Sequence, residues 1–179
     1  MLLLPAVEAD YSAIVDLVNL AYRGAGPSAS WNVESGILEG QRLSEPQLRE
    51  DLAAKPQAHL LTYRQQPGSE ILGCVWLEPR ENAVWYLGLL AVQPNRQKLR
   101  LGSGLLAAAE EFAHTRGAGC IQMTVLHVRD ALIAWYLRRG YRSTGGAEPF
   151  PYGDNRFGIP LRDDLYFVVL EKELEQPSG

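Results

Sequence analysis

The chain has 179 residues, 46% of them hydrophobic, with 17 basic and 21 acidic side chains and a formal net charge of −4. A chain of this size buries a core without disulfide staples, and mild acidity with no long basic run gives no electrostatic footprint for nucleic acid. The longest apolar runs, Val84 to Val92 and Ile121 to Leu126, are far shorter than the roughly 20 residues of a membrane span. The expected partners are therefore small ligands, with neither nucleic acid nor membrane.

Leu2-Leu3-Leu4 reads as a short strand stopped by Pro5; with Glu8 and Asp10 close behind and no basic leader or small-residue cleavage site, export is not expected and the cytoplasm is. Asp10 is placed to cap a helix with Ile14, Leu17, Val18 and Ala21 on one face. Gly24 to Gly40 is rich in Gly, Ser, Pro and Asn yet carries Trp31, Ile37 and Leu38, the mark of an ordered loop lying over something. Ser44 and Pro46 open a second helix, with Leu48 and Leu52 as its buried stripe.

Three strands follow, His59 to Arg64, Ile71 to Glu78 and Ala83 to Val92, joined by short polar turns as in an antiparallel meander. Gly88 interrupts the third and is the expected bulge. Leu101, Leu105, Ala108, Ala109 and Phe112 then mark a helix from Leu101 to Arg116, closed by Gly117. Cys120 to Leu126 is a strand, Asp130 to Arg139 a helix closed by Gly140, Tyr141 to Thr144 a short strand, and Leu165 to Leu170 the last strand after a Pro- and Gly-rich excursion. The order is that of one α/β domain over 1–174 with a mixed sheet, followed by a polar tail, 175–179. Cys74 and Cys120 lie in strands and in no metal or redox spacing, so no metal site is expected and both read as buried thiols.

Between the third meander strand and its helix, Gln93 to Arg100 leads into Gly102-Ser103-Gly104. Free N–H groups at a helix N-terminus, with glycines and the charges of Arg96, Lys98 and Arg100, suit a phosphate or pyrophosphate. A P-loop is excluded, because Lys98 lies upstream of both glycines. Gly102-Ser103-Gly104-Leu105-Leu106-Ala107 matches the dinucleotide fingerprint, but a polar stretch separates it from its strand and the next strand ends in Leu126-His127 without an acid. Dinucleotide binding remains the weaker alternative.

Gln97-Lys98-Leu99-Arg100-Leu101-Gly102 resembles the main signature of the GNAT superfamily, the acyl-CoA dependent N-acetyltransferases, with Arg100 where that family's first glycine is usual. Asp130 to Tyr141 looks like the family's second block, with Arg129 where Asn is frequent. The resemblance implies a mostly antiparallel sheet of about seven strands flanked by helices on both faces, and acetyl-CoA as cosubstrate. It implies a pyrophosphate site over Gln97, Lys98, Leu99, Arg100, Leu101, Gly102 and Ser103. The pantetheine arm would lie along Leu90, Ala91 and Val92, where the fourth and fifth strands splay, with Arg129 and Leu132 beside it.

Arg129, Leu132 and Tyr136 share one helical face. If that face looks at the thioester, as the resemblance implies, Tyr136, a phenol that keeps its proton at neutral pH, is the expected general acid toward the departing thiolate; by itself a Trp-Tyr pair at a helix end reads as packing. No Asp, Glu or His falls in Val84 to Val92; Glu34, Glu78, His127 or a main-chain carbonyl through water are the candidate bases. Trp31, Glu34 and Tyr152, with Phe150 and Asp154, offer aromatic walls and negative charge for a cationic or amphipathic amine. The expected reaction is direct transfer to a small-molecule amine in a ternary complex; the alternative is a non-catalytic acyl-CoA binder or sensor. A homodimer is compatible with the family.

Overall fold

The computed structural model describes residues 1–24, 34 and 36–174, and for Gln97 to Leu99 the backbone alone. Trp31 and the tail 175–179 lie outside the described residues. In chain order the elements are β1 (Leu2–Pro5), α1 (Tyr11–Arg23), β2 (Leu38–Glu39), α2 (Glu45–Ala54), β3 (His59–Arg64), β4 (Gly73–Pro79), β5 (Val84–Val92), α3 (Leu101–His114), β6 (Cys120–Leu126), α4 (Asp130–Leu137), β7 (Arg142–Pro149), β8 (Ile159–Pro160) and β9 (Tyr166–Glu173). Seven strands form one sheet in the order β1-β3-β4-β5-β6-β9-β7, and β2 pairs with β8 apart from it. All pairs in the large sheet are antiparallel except β5 with β6.

Alternation along the strands sends side chains to two cores. Leu61, Tyr63, Val75, Leu77 and Leu87 pack with α3 and α4, whereas Leu60, Cys74, Trp76 and Ala91 pack with α1 and α2. The sheet is thus covered by helices on both faces, and each core is built from fully buried aliphatics such as Leu105, Leu106, Ile14 and Leu48. No helix among the described residues is long and apolar enough to cross a membrane.

Two departures from the sequence reading have local causes. The expected short strand at Tyr141 to Thr144 continues to Pro149, because Gly145, at φ 78°, absorbs a register shift between Ser143 and Ala147 instead of ending the strand. The bulge in β5 is not at Gly88. Cys74 pairs with Ala91 and Trp76 with Gly88, so β5 carries one residue more than β4, and it is Leu89 that takes the left-handed conformation, at φ 49°. Gly88 lies against Tyr86 instead: a Cβ there would approach the ring carbon Cε1 to 3.0 Å.

The parallel pairing of β5 with β6 covers only Val84↔Cys120, Trp85↔Ile121 and Tyr86↔Gln122. Beyond Tyr86, β6 continues to pair with β9 while β5 continues with β4, so the sheet opens into a cleft between its two central strands. The bulge at Leu89 sits on the diverging part of β5, which is where an added residue bends a strand away from its neighbour.

Candidate active site

A cavity of about 320 Å³ occupies the cleft. Its walls include Leu87 and Leu90 of β5, Met123 and Val125 of β6, and Leu132 and Tyr136 of α4. A second cavity of about 330 Å³ lies on the α1/α2 face, against Leu43 and Trp76, and shares Arg42, Arg80, Tyr86, Gly88, Leu89 and Phe157 with the first. The two therefore meet where β5 leaves β6.

Tyr136 is 5% exposed and packs edge-on against Trp135 and Tyr141. Its hydroxyl has no hydrogen-bond partner among the described residues, although it lines the cavity. A buried polar group without a partner is rare in folded proteins, so it is a donor available to a guest. Burial raises its pKa above the ordinary phenol value, with the neighbouring Tyr22 adding to the rise, and the group stays protonated. Tyr22, on α1, reaches the cavity from the other face; its hydroxyl donates to the Leu90 carbonyl at 3.3 Å, and burial pushes its pKa up to about 12.

Arg129, the residue preceding α4, lines the cavity and donates through Nη1 to Glu34 Oε1 at 3.0 Å, while Arg23 of α1 binds Glu34 Oε2. The three side chains are each at most 11% exposed. Glu34, expected from the sequence at the substrate site, does line the first cavity, and there its charge is matched by two guanidiniums, which join it to α1 and to the start of α4. Tyr152 is displaced from the expected role. It lines neither cavity; its hydroxyl donates to the Arg162 carbonyl at 2.9 Å and accepts from the Leu165 amide at 2.8 Å, which anchors the loop.

Of the three candidate bases, His127 stacks on Tyr166 with ring centroids 3.9 Å apart and lines neither cavity. Glu34 has both oxygens engaged. Glu78 lines the second cavity, with Oε2 accepting from Lys55 Nζ at 2.7 Å and from Trp76 Nε1 at 3.4 Å, and Oε1 without a partner among the described residues.

The turn before α3 is a 3₁₀ segment, Pro94–Leu99, followed by Arg100 at φ 52° and ψ 31°. A side chain is costly in that conformation, yet Arg100 adopts it, at the position where the resemblance expects a glycine. Leu101, Gly102 and Ser103 form the first turn of α3, whose N–H groups lack intrahelical acceptors. The sequence reading missed Arg139, which stacks over Trp135 at 3.6 Å and donates to Ser103 Oγ at 2.7 Å, bringing a cation to that turn. Its signal was only a pair of arginines at a helix end. Gly104 has a packing duty: a Cβ there would lie 2.7 Å from Tyr63 Oη. Ala91 is buried against Cys74, and neither it nor Val92 lines the cavity.

The Acetyltransferase (GNAT) family model matches residues 27–141. Similar solved structures include a GNAT-family acetyltransferase from Staphylococcus aureus Mu50, at 13% identity over 97% of this chain and 99% of that one, with a TM-score of 0.66. Ribosomal-protein-alanine N-acetyltransferase from Brucella melitensis aligns at 20% identity over 97% and 100%, with a TM-score of 0.68. A protein from Bacillus anthracis str. Ames assigned as a streptothricin acetyltransferase, solved in complex with acetyl coenzyme A, aligns at 19% identity over 68% and 65%, with a TM-score of 0.53. No curated protein sequence matches the chain significantly. At these identities the structural likeness is one of fold; the sequence signature and the seven-stranded split sheet agree, and the chain belongs to the GNAT acetyltransferase family.

Proposed function

We propose that the protein transfers the acetyl group of acetyl-CoA directly to a small-molecule amine. The observation that carries this reading is the buried, unpartnered Tyr136 hydroxyl facing a cleft between β5 and β6 whose main-chain edges have separated. Strand edges that part in a core need other hydrogen-bond partners, and a pantetheine arm supplies them. Leu90, Leu132 and Arg129 would flank that arm, with the backbone from Gln97 to Ser103 and the Arg139 cation holding the pyrophosphate. The thioester supplies an activated acetyl group.

Glu78, with one carboxylate oxygen open to the second cavity, takes the proton of the incoming ammonium through water, so that a neutral nitrogen attacks the thioester carbon. As the carbon–sulfur bond breaks, Tyr136 donates its hydrogen to the thiolate and regains one, through water, from the nitrogen that has attacked; the products are the N-acetyl amine and the CoA thiol, with the amine's first proton on Glu78. The acceptor enters from the α1/α2 face, and two cavities of about 320 and 330 Å³ suit a small molecule better than a folded protein. An acyl-enzyme is disfavoured: Cys74 lines neither cavity and burial pushes its thiol up to about 12, while burial also raises that of Cys120. Two unpaired thiols fit a reducing compartment, the cytoplasm.

The test is initial-rate kinetics of CoA release over an amine library. Direct transfer predicts intersecting double-reciprocal plots, and Glu78→Gln should lower kcat by about a hundredfold. Parallel plots, or acetylated protein surviving gel filtration, would overturn direct transfer.

A further inference from the structure

The charges around the acceptor cavity do not balance evenly when each is followed to its partner. Lys55 is held by Glu78, and Arg156 by Asp51. Arg129 and Arg23 share Glu34. Asp154 also lines this cavity and makes no ion pair among the described residues, its Oδ1 accepting from the Arg156 amide at 3.0 Å, and Glu148, on the exposed edge strand β7, reaches only the first cavity.

Arg42 and Arg80 have no such partner. Neither guanidinium makes an ion pair or donates a hydrogen bond to any described residue. Each is fixed by aromatic rings instead. Arg42 Cζ lies 5.5 Å from the Tyr22 ring centroid and 5.2 Å from that of Phe157, and Arg80 Cζ lies 4.3 Å from that of Tyr86. A ring holds a guanidinium by its face and leaves the N–H donors at its edge free. The rings are themselves anchored: Tyr22 by the Leu90 carbonyl, Tyr86 by Thr124 Oγ1 at 3.2 Å, and the Phe157 carbonyl by Arg23. Both arginines belong to the small set of residues that line both cavities, at the level of Tyr86, the last residue of β5 paired to β6.

We infer that the acceptor carries an oxoanion beside its amine, and that Arg42 and Arg80 bind that oxoanion where the two cavities meet. Two planar forks with unused donors match a carboxylate or a phosphonate, and they repel a polycation from the same place. With the anion held there, the amine is left to face Glu78 and the thioester. The inference rests on the proposed acetyl transfer and narrows its acceptor from any amine to amino-acid-like compounds. It also narrows the sequence-based expectation of a cationic or amphipathic amine, which relied on Glu34 and Asp154: Glu34 is spent on two arginines.

The test uses the full chain with saturating acetyl-CoA and measures CoA release for free L-amino acids, their carboxamides, aminoalkylphosphonates and spermidine. The amino acids should exceed their carboxamides by about 10- to 100-fold in kcat/KM, the worth of a charge-assisted hydrogen bond or two. The phosphonate arm separates the two oxoanions. In Arg42→Gln/Arg80→Gln the acid-to-amide ratio should fall close to one, with Arg42→Lys/Arg80→Lys recovering part of it; both arginines lie at the surface of the cavity, and an unchanged melting curve reports a folded variant. Carboxamides or spermidine used as well as the acids, a ratio unaltered in the double variant, or no turnover of any anionic amine would each overturn the inference. Calorimetric titration with acetyl-CoA keeps the two levels apart: absent binding removes the acetyl-transfer reading, whereas tight binding with preference for neutral amines removes this inference alone.

Discussion

On the proposed reading, Tyr136 concentrates the chemistry at one atom. Its phenol is buried, has no hydrogen-bond partner among the described residues, and burial raises its pKa above the ordinary phenol value, so it keeps its proton at neutral and mildly alkaline pH. Tyr136→Phe should lower kcat by about a hundredfold and leave acetyl-CoA binding by calorimetry within severalfold of the parent; equal turnover would remove the acid role. The sign of the shift also predicts the pH profile: a group whose pKa is raised loses its proton later, so kcat should show no alkaline decline below about pH 10. Tyr136 was legible in the sequence through the resemblance of Asp130 to Tyr141 to the family's second block, with helical spacing setting it on one face with Arg129 and Leu132. Arg42, Arg80 and Tyr22 were not, because an isolated Arg or Tyr in a loop or helix gives no sign of which carboxylates its neighbours have already engaged.

At the scale of elements, two contacts hold the site together. Glu34 links α1 to the start of α4 through Arg23 and Arg129, all three side chains being nearly buried. Glu34→Gln leaves two guanidiniums short of a charge partner and should cost about 3 kcal/mol in urea unfolding; a loss under about 1 kcal/mol, the range of an exposed pair, would show the triad to be dispensable. The glycines of α3 divide their duties. Gly104→Ala meets Tyr63 Oη and should destabilise by about 1–3 kcal/mol, and Tyr63→Phe should recover part of the loss. Gly102→Ala finds only Trp135 at 3.5 Å and should be neutral or stabilising by up to about 1 kcal/mol.

Elements with strong periodicity, α1 and α3 above all, stand where the sequence placed them, since one apolar stripe determines one buried face. Irregular backbone was harder. Gly88 drew the bulge in the sequence reading, yet Leu89 bears the positive φ, and Arg100 does the same where a glycine is usual. Tertiary packing fixes those angles, and local preference carries no trace of it.

For the whole molecule, the consequence of a sheet that splits beyond Tyr86 is a passage with two mouths. One cavity runs against Leu132 and Tyr136 of α4, the other against Leu43, Trp76 and Glu78, and Arg42 and Arg80 line both. On the proposed reading, a donor and an acceptor meet at Tyr136 without either leaving first, as direct transfer requires. A crystal structure with acetyl-CoA tests this most directly. The account predicts the pantetheine arm between β6 and the Leu87 to Val92 segment of β5, with the thioester sulfur in hydrogen-bond reach of Tyr136 Oη. A cleft filled by the protein's own side chains, or the ligand bound elsewhere on the surface, would contradict it.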